Sequence, residues 1–203
     1  MRAALFHLGV VTALREFGLM GKVDNISSVS GGSIFAAHLI QHWDRYKGTS
    51  ENFDDARSEL FRLARSDIRG RVIRHYLLAV TFPPLWLVFE RMRPTKLLER
   101  EYAKFYKDYK IFDLFNNIDS KKPDLHILST SFTTGDLCSF TKSGFLIRDT
   151  KSIREFPTRI IPIALAVAAS SAYPPLVSAG LTDARTARFC LRGRIPLRRR
   201  KTY

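Results

Sequence analysis

The segment Ser28-Val29-Ser30-Gly31-Gly32 carries the clearest chemistry in the chain. It follows a short apolar run through Val23, Ile26 and Val29. It precedes Ile34, Phe35, His38, Leu39 and His42 at helical spacing, so a buried strand is expected to turn sharply into a helix here. A serine on such a turn is pushed out of the sheet with its hydroxyl exposed, and its neighbours must be small because the backbone is crowded and strained. In this register Ser30 is the exposed hydroxyl, a candidate nucleophile. The helix start behind it aims unpaired N–H groups and a positive dipole end at the same point, so the Gly31 amide can stabilise an oxyanion. The same pattern suits a phosphate-binding turn or a plain tight loop, and both alternatives stand at this point.

Histidine offers little to such a serine. A hydrolase with the order Ser, acid, His needs a late histidine, yet the last one is His126, expected on a strand as a core or hydrogen-bonded residue. His38 and His42 stand one helical turn apart, a spacing that can bind metal. No glutamate or cysteine near them in sequence completes a ligand set, so neither a metal nor another cofactor is expected.

The elements that must hold Ser30 in place can be read from periodicity. Ala4, Leu5, Leu8, Val11, Leu14 and Phe17 recur at helical spacing and run on to Gly18 and Gly21. This predicts an amphipathic helix on a core rather than a secretory signal. Helix, strand, tight turn and helix in succession is α/β grammar. Residues 53–67 and 96–106 read as two further amphipathic helices, inserted between sheet elements. Leu125 to Ser129 and Leu137 to Phe140, joined across Thr134-Gly135-Asp136, read as two strands of a hairpin, with Phe145 to Ile147 as a third. The alanine-rich run Ile160 to Ala172 predicts a helix stopped by Pro174-Pro175.

Composition narrows the class further. In 203 residues, 45% hydrophobic and 26% charged, there is material for a real core, which excludes a disordered chain, a collagen or a coiled-coil rod. The net charge of +14 is unevenly spread. Residues 184–203 hold Arg185, Arg188, Arg192, Arg194, Arg198, Arg199, Arg200 and Lys201 without an acid, and their arginines follow no face, so a disordered basic tail, or a terminus foreign to the fold before it, is expected. Such a run is too unspecific to imply a nucleic-acid partner. The stretch Tyr76 to Phe89 is uncharged but is shorter than the roughly 20 residues that cross a bilayer, and Pro83-Pro84 interrupts it. With Arg69, Arg71, Arg74, Arg91 and Arg93 around it, it reads as a bent core segment or as an interfacial one on anionic lipid. Two cysteines, Cys138 and Cys190, favour a reducing compartment, hence an intracellular place, cytoplasmic or at a membrane surface. Oligomeric state is not encoded legibly.

From Arg2 through Pro175 the chain resembles the patatin-like phospholipases. The matching pieces come in order: Arg2-Ala3-Ala4 leading into His7-Leu8-Gly9-Val10, the Ser28 to Gly32 elbow, the strand–turn–strand around 125–141, and Ala168-Ala169-Ser170-Ser171-Ala172 before Pro174-Pro175. The resemblance implies an α/β, three-layer fold with a mainly parallel central sheet over residues 1–183, and the basic tail beyond. It also implies a Ser–Asp dyad, in which an aspartate takes the proton of the attacking serine. Asp183 is the candidate base, although Ala184-Arg185 replaces the small pair such a turn carries. Ser28, Gly31, Gly32 and Arg2 form the implied elbow and oxyanion set. The family's Gly-rich oxyanion loop would precede Arg2, so the domain as read is expected to be incomplete and slowed by roughly 100- to 1000-fold per lost donor.

The expected function is therefore a serine lipid acyl hydrolase acting on a phospholipid or acylglycerol ester, impaired as written. The alternative is a truncated, inactive relative that at most binds lipid or a membrane surface.

Overall fold

The computed structural model of the chain describes residues 2–68, 70–74, 94–107, 109–115, 121–131, 135–148, 153–157, 159–172 and 198–200. Helix α1 spans Arg2–Glu16 and ends at Gly18, whose φ of 67° closes the last turn as glycine allows. It buries Ala4, Leu8 and Val11, one stripe of an amphipathic helix, while Phe17, expected to continue that stripe, lies past the helix end and is exposed. Strand β1 follows at Asn25–Val29, then α2 at Gly31–Gln41, α3 at Trp43–Lys47 and α4 at Ser50–Arg65. Thr49 caps α4, its hydroxyl oxygen accepting from the Asn52 N–H. After α5 at Pro94–Tyr106 come β2 (Asp124–Thr130), β3 (Leu137–Thr141), β4 (Gly144–Arg148), β5 (Ile153–Pro157), α6 (Ile163–Ser171) and β6 (Arg198–Arg200).

The strands form one sheet in the order β1-β2-β3-β4-β5-β6. β1 and β2 are parallel, with Ser28 opposite Ile127. The connection between them is long enough to carry α2 to α5, which a parallel pair requires. The other neighbours are antiparallel. The α/β class and the strand–turn–helix order at Ser30 are as expected, but the buried strand through Val23, Ile26 and Val29 is corrected: Val23 precedes β1, Ile26 is half-buried, Val29 is exposed, and Ser28 is the buried residue of the strand. The mainly parallel sheet is corrected to a mixed one among the described residues, because β2 to β5 follow each other through short connections that leave only hairpin geometry. β5 and β6 carry no sequence signal that predicted them. β6 lies within the basic tail, the rest of which falls outside the described residues.

Helix α2 is buried along Gly31 to Ile40 and packs on β1 and β2, with α6 beside it. α1 lies on α2, and α5 on α6. The Tyr106 hydroxyl donates to the Ile34 carbonyl at 2.6 Å, tying α5 to the middle of α2. On β2, Leu125, Ile127 and Ser129 are buried in alternation and put one face of the strand in the core. Helix α6 starts at Ile163 rather than Ile160 because Pro162, at φ −64° and ψ 140°, occupies the cap position. No helix among the described residues is long and apolar enough to cross a membrane.

The buried α2 helix carries a titratable passenger. His38 is fully buried, and loss of solvation, aided by His42 and Arg45, lowers its pKa from 6.5 to about 3. Between those two values the unfolded chain takes up a proton that the folded chain refuses. Stability is therefore expected to fall as pH drops below about 6.5, by up to about 1.4 kcal/mol per pH unit from this residue. Urea denaturation at pH 7 and pH 5, with chelator present, checks this; equal midpoints at the two pH values would contradict it.

Candidate active site

Ser30 joins β1 to α2 with φ 54° and ψ −124°, a conformation that glycine occupies freely and serine does not. Lys107 is the other non-glycine residue with positive φ among the described residues. Holding a serine there costs of order 1–3 kcal/mol, so the surroundings must impose it. As the residue before α2, a serine would ordinarily cap the helix with its own hydroxyl. Ser30 makes no such bond, and its side chain stands exposed at the positive end of α2. The hydroxyl is thereby left for other chemistry.

The backbone of Ser30 is held by a residue far away in sequence. Its N–H donates to Ser170 Oγ at 3.0 Å. The Ser170 hydroxyl donates its one proton to the Leu128 carbonyl at 2.6 Å, so the 2.8 Å contact with Ser33 must be donated by Ser33. Ser170 Oγ thus gives one hydrogen bond and accepts two, all its capacity, and links α6, the end of β2 and the elbow. Ser33 and Ser170 are both buried.

Gly31 and Gly32 make close packing possible on the other side. A Cβ on Gly31 would lie 3.3 Å from Ala3 Cβ, and one on Gly32 would lie 3.2 Å from His7 Nε2. The start of α1 therefore presses on the elbow through two positions where side chains are nearly excluded. Ser28 is buried one step before, its hydroxyl donating to the His126 carbonyl at 3.4 Å. An apolar cavity of about 310 Å³ lies between α1, β1 and α2, with Ser28, Val29 and Gly32 on its wall beside Val11 and Phe35.

Of the residues expected to form the site, Ser28, Ser30, Gly31 and Gly32 are brought together at one turn. Arg2 is exposed at the start of α1 and makes no side-chain hydrogen bond with a described residue. Asp183 lies outside the described residues, as does Tyr76 to Phe89. Two arginines flanking that stretch are already paired, Arg71 with Glu101 and Arg74 with Asp67, each at 3.0 Å. Ser170 and Ser33 were not singled out from sequence as site residues. For Ser170 the available signal was its place in the alanine–serine run; for Ser33 there was none.

The expectation that no carboxylate joins His38 and His42 is also corrected. Packing of α4 beside α3 sets Glu59 Oε1 3.9 Å from His42 Nε2. The partner is 17 positions along the chain from His42, beyond the reach of helical spacing.

A model of the patatin-like phospholipase family matches residues 1–189. Among solved structures, the chain is similar to human GIVD cytosolic phospholipase A2 in complex with methyl gamma-linolenyl fluorophosphonate, at 21% identity and a TM-score of 0.51 over 83% of this chain. It is similar also to the same enzyme with that inhibitor and terbium chloride, at 18% identity and a TM-score of 0.52 over 96% of this chain. The aligned regions make up 27% and 31% of those chains, so this chain spans less than a third of their length. At these identities the likeness bears on the fold. No curated protein matches the chain.

Proposed function

This chain belongs to the patatin-like phospholipase family, and on that premise we propose that it is a serine lipid acyl hydrolase with Ser30 as its nucleophile. The family places the chain among lipid hydrolases; the dyad, the substrate and the turnover are our reading. The observation that carries it is the strained backbone of Ser30, whose uncommitted hydroxyl stands at the start of a buried helix. Strain of this kind persists where it serves a site, and here it turns a hydroxyl outward at a point of positive potential.

In the proposed reaction Ser30 Oγ attacks the carbonyl carbon of an acyl ester while its proton passes to the Asp183 carboxylate. The carbonyl oxygen becomes an oxyanion and receives the Gly31 N–H. Collapse expels the alcohol, which takes the proton back, and water then releases the fatty acid by the same steps. The substrate is a phospholipid or acylglycerol ester, and the apolar cavity beside the elbow suits part of an acyl chain.

The test is a fluorophosphonate probe, which phosphonylates an activated serine whatever the natural ester. The folded chain is expected to be labelled on the peptide that contains Ser30. A folded chain that takes no label would favour the inactive, lipid-binding alternative, to which the Ala184-Arg185 pair after Asp183 also points.

Contact with a lipid surface through Tyr76 to Phe89 belongs to the same proposal. Changing Leu85, Trp86 and Leu87 to serine is expected to reduce flotation with anionic liposomes several-fold. Unaltered flotation would remove this segment from the account.

A further inference from the structure

Independently of the serine, the geometry points to a divalent-metal site formed by His38, His42 and Glu59. One donor atom of each lies within 4.8 Å of the other two, in a cluster drawn from α2, the turn that ends it, and α4. His38 Nδ1 is 3.0 Å from the Tyr46 hydroxyl. Its other nitrogen, Nε2, is buried and has no hydrogen-bond partner. A fully buried ring with an unmatched nitrogen is costly unless something binds it. With Nδ1–H donating to the Tyr46 oxygen, Nε2 presents a lone pair, the arrangement by which a neighbouring group orients a ligating imidazole.

The donor set is of the kind that zinc takes, two imidazoles and a carboxylate, with room in such sites for a water as fourth ligand. Bound Zn²⁺ sits about 2.0–2.2 Å from each ligand atom, so tetrahedral ligands stand about 3.3 Å apart. The 3.9 Å between His42 Nε2 and Glu59 Oε1 closes to that by small side-chain rotations. Glu59 also lines a cleft of about 430 Å³ together with Phe105, whose ring stacks on His38 at 5.5 Å between centroids.

Three cations set the affinity. Arg45 Nη1 lies 2.8 Å from Glu59 Oε2 and 3.3 Å from His42 Nδ1. Metal on His42 Nε2 places the ring proton on Nδ1, so Arg45 gives up the histidine and keeps the second carboxylate oxygen, leaving Oε1 for the ion. Lys107 and Lys122 add positive potential at His42. The site is therefore expected to be a clamp of modest affinity joining α2 to α4. His38 is eight positions beyond Ser30 on the same helix, about 12 Å at 1.5 Å per residue, so the ion does not touch the reacting atoms.

The test uses the untagged full chain, stripped with chelator and titrated with Zn²⁺. One equivalent is expected to bind and to raise the melting temperature, equally in the chain carrying Ser30→Ala, and Co²⁺ is expected to give the visible bands of a tetrahedral site. Glu59→Gln and His42→Gln alter partly exposed side chains, so both variants are expected to fold. Each should weaken binding at least about tenfold. Absence of saturable binding by the folded chain, or binding unchanged in both variants, would overturn the assignment.

Discussion

Ser30→Ala is expected to abolish fluorophosphonate labelling and to lower hydrolysis of a fluorogenic ester by about ten-thousandfold or more, the order lost when a hydrolase loses its nucleophile. Its stability is expected to stay near that of the parent, because alanine at φ 54° and ψ −124° is as strained as serine. Ser30→Gly separates the two effects. It loses the same activity, but glycine adopts this backbone freely, so about 1–3 kcal/mol of strain is relieved against about 0.5–1 kcal/mol of extra chain entropy in the unfolded state. Each kcal/mol gained raises the melting temperature of a chain this size by about 2–4 °C. An inactive variant that is more stable than its parent marks a backbone bent for function. Labelling that survives in both variants would mean that another serine reacts and that the elbow serves packing alone.

The elbow was legible because it is local. Small residues at 28–32 and helical spacing from Ile34 together predict a strand–turn–helix, although the apolar residues read as a buried strand do not all serve it: Val23 precedes β1 and Val29 is exposed. The presence of α4 and α5 was legible for the same reason, since each carries one apolar stripe, with ends displaced by up to three residues, while α3, five residues between His42 and Gly48, is too short to show a stripe. β5 was hidden because Ile153–Pro157 has an arginine, a glutamate and a proline, and half-buried side chains in place of an alternation. The β2–β3 hairpin was read from its turn and is antiparallel as expected, whereas the resemblance favoured a mainly parallel sheet for the rest. Glu59 and Ser170 lie at the other extreme. An exposed-looking glutamate on a correctly placed helix does not announce that it faces His42, and a serine in an alanine-rich helix does not announce whose N–H it receives. Those relations come from packing over distances in sequence that periodicity does not span.

Ser170→Ala carries the second large effect, on stability and on rate together. Removing the hydroxyl strips the Ser30 N–H and the Ser33 hydroxyl of their acceptor and the Leu128 carbonyl of a donor, at a junction where Ser33 and Ser170 are buried and the bonds to Ser30 and Leu128 are part-buried. Each abandoned buried group costs about 1–3 kcal/mol, and relaxation recovers part, so a loss of about 2–5 kcal/mol is expected. Ser33→Ala takes away one donor and leaves Ser170 with a spare lone pair, which is expected to cost about 1 kcal/mol. The order of the two variants follows from which serine is the hub, and the reverse order in thermal or urea denaturation would contradict the network. On rate, freeing the Ser30 N–H lets the elbow relax from its imposed conformation, and a displacement of about 1 Å at a nucleophile can cost about a hundredfold. The loss should fall on kcat more than on KM, since Ser170 holds the nucleophile rather than the lipid. Coupling supplies the sharpest reading: once Ser170 no longer enforces the strain, Ser30→Gly has little left to relieve, so its stabilising effect should shrink in the Ser170→Ala background. If Ser30→Gly stabilises both backgrounds equally, the strain is imposed elsewhere, and the contact of α1 at Gly31 and Gly32 becomes the element that bends the turn.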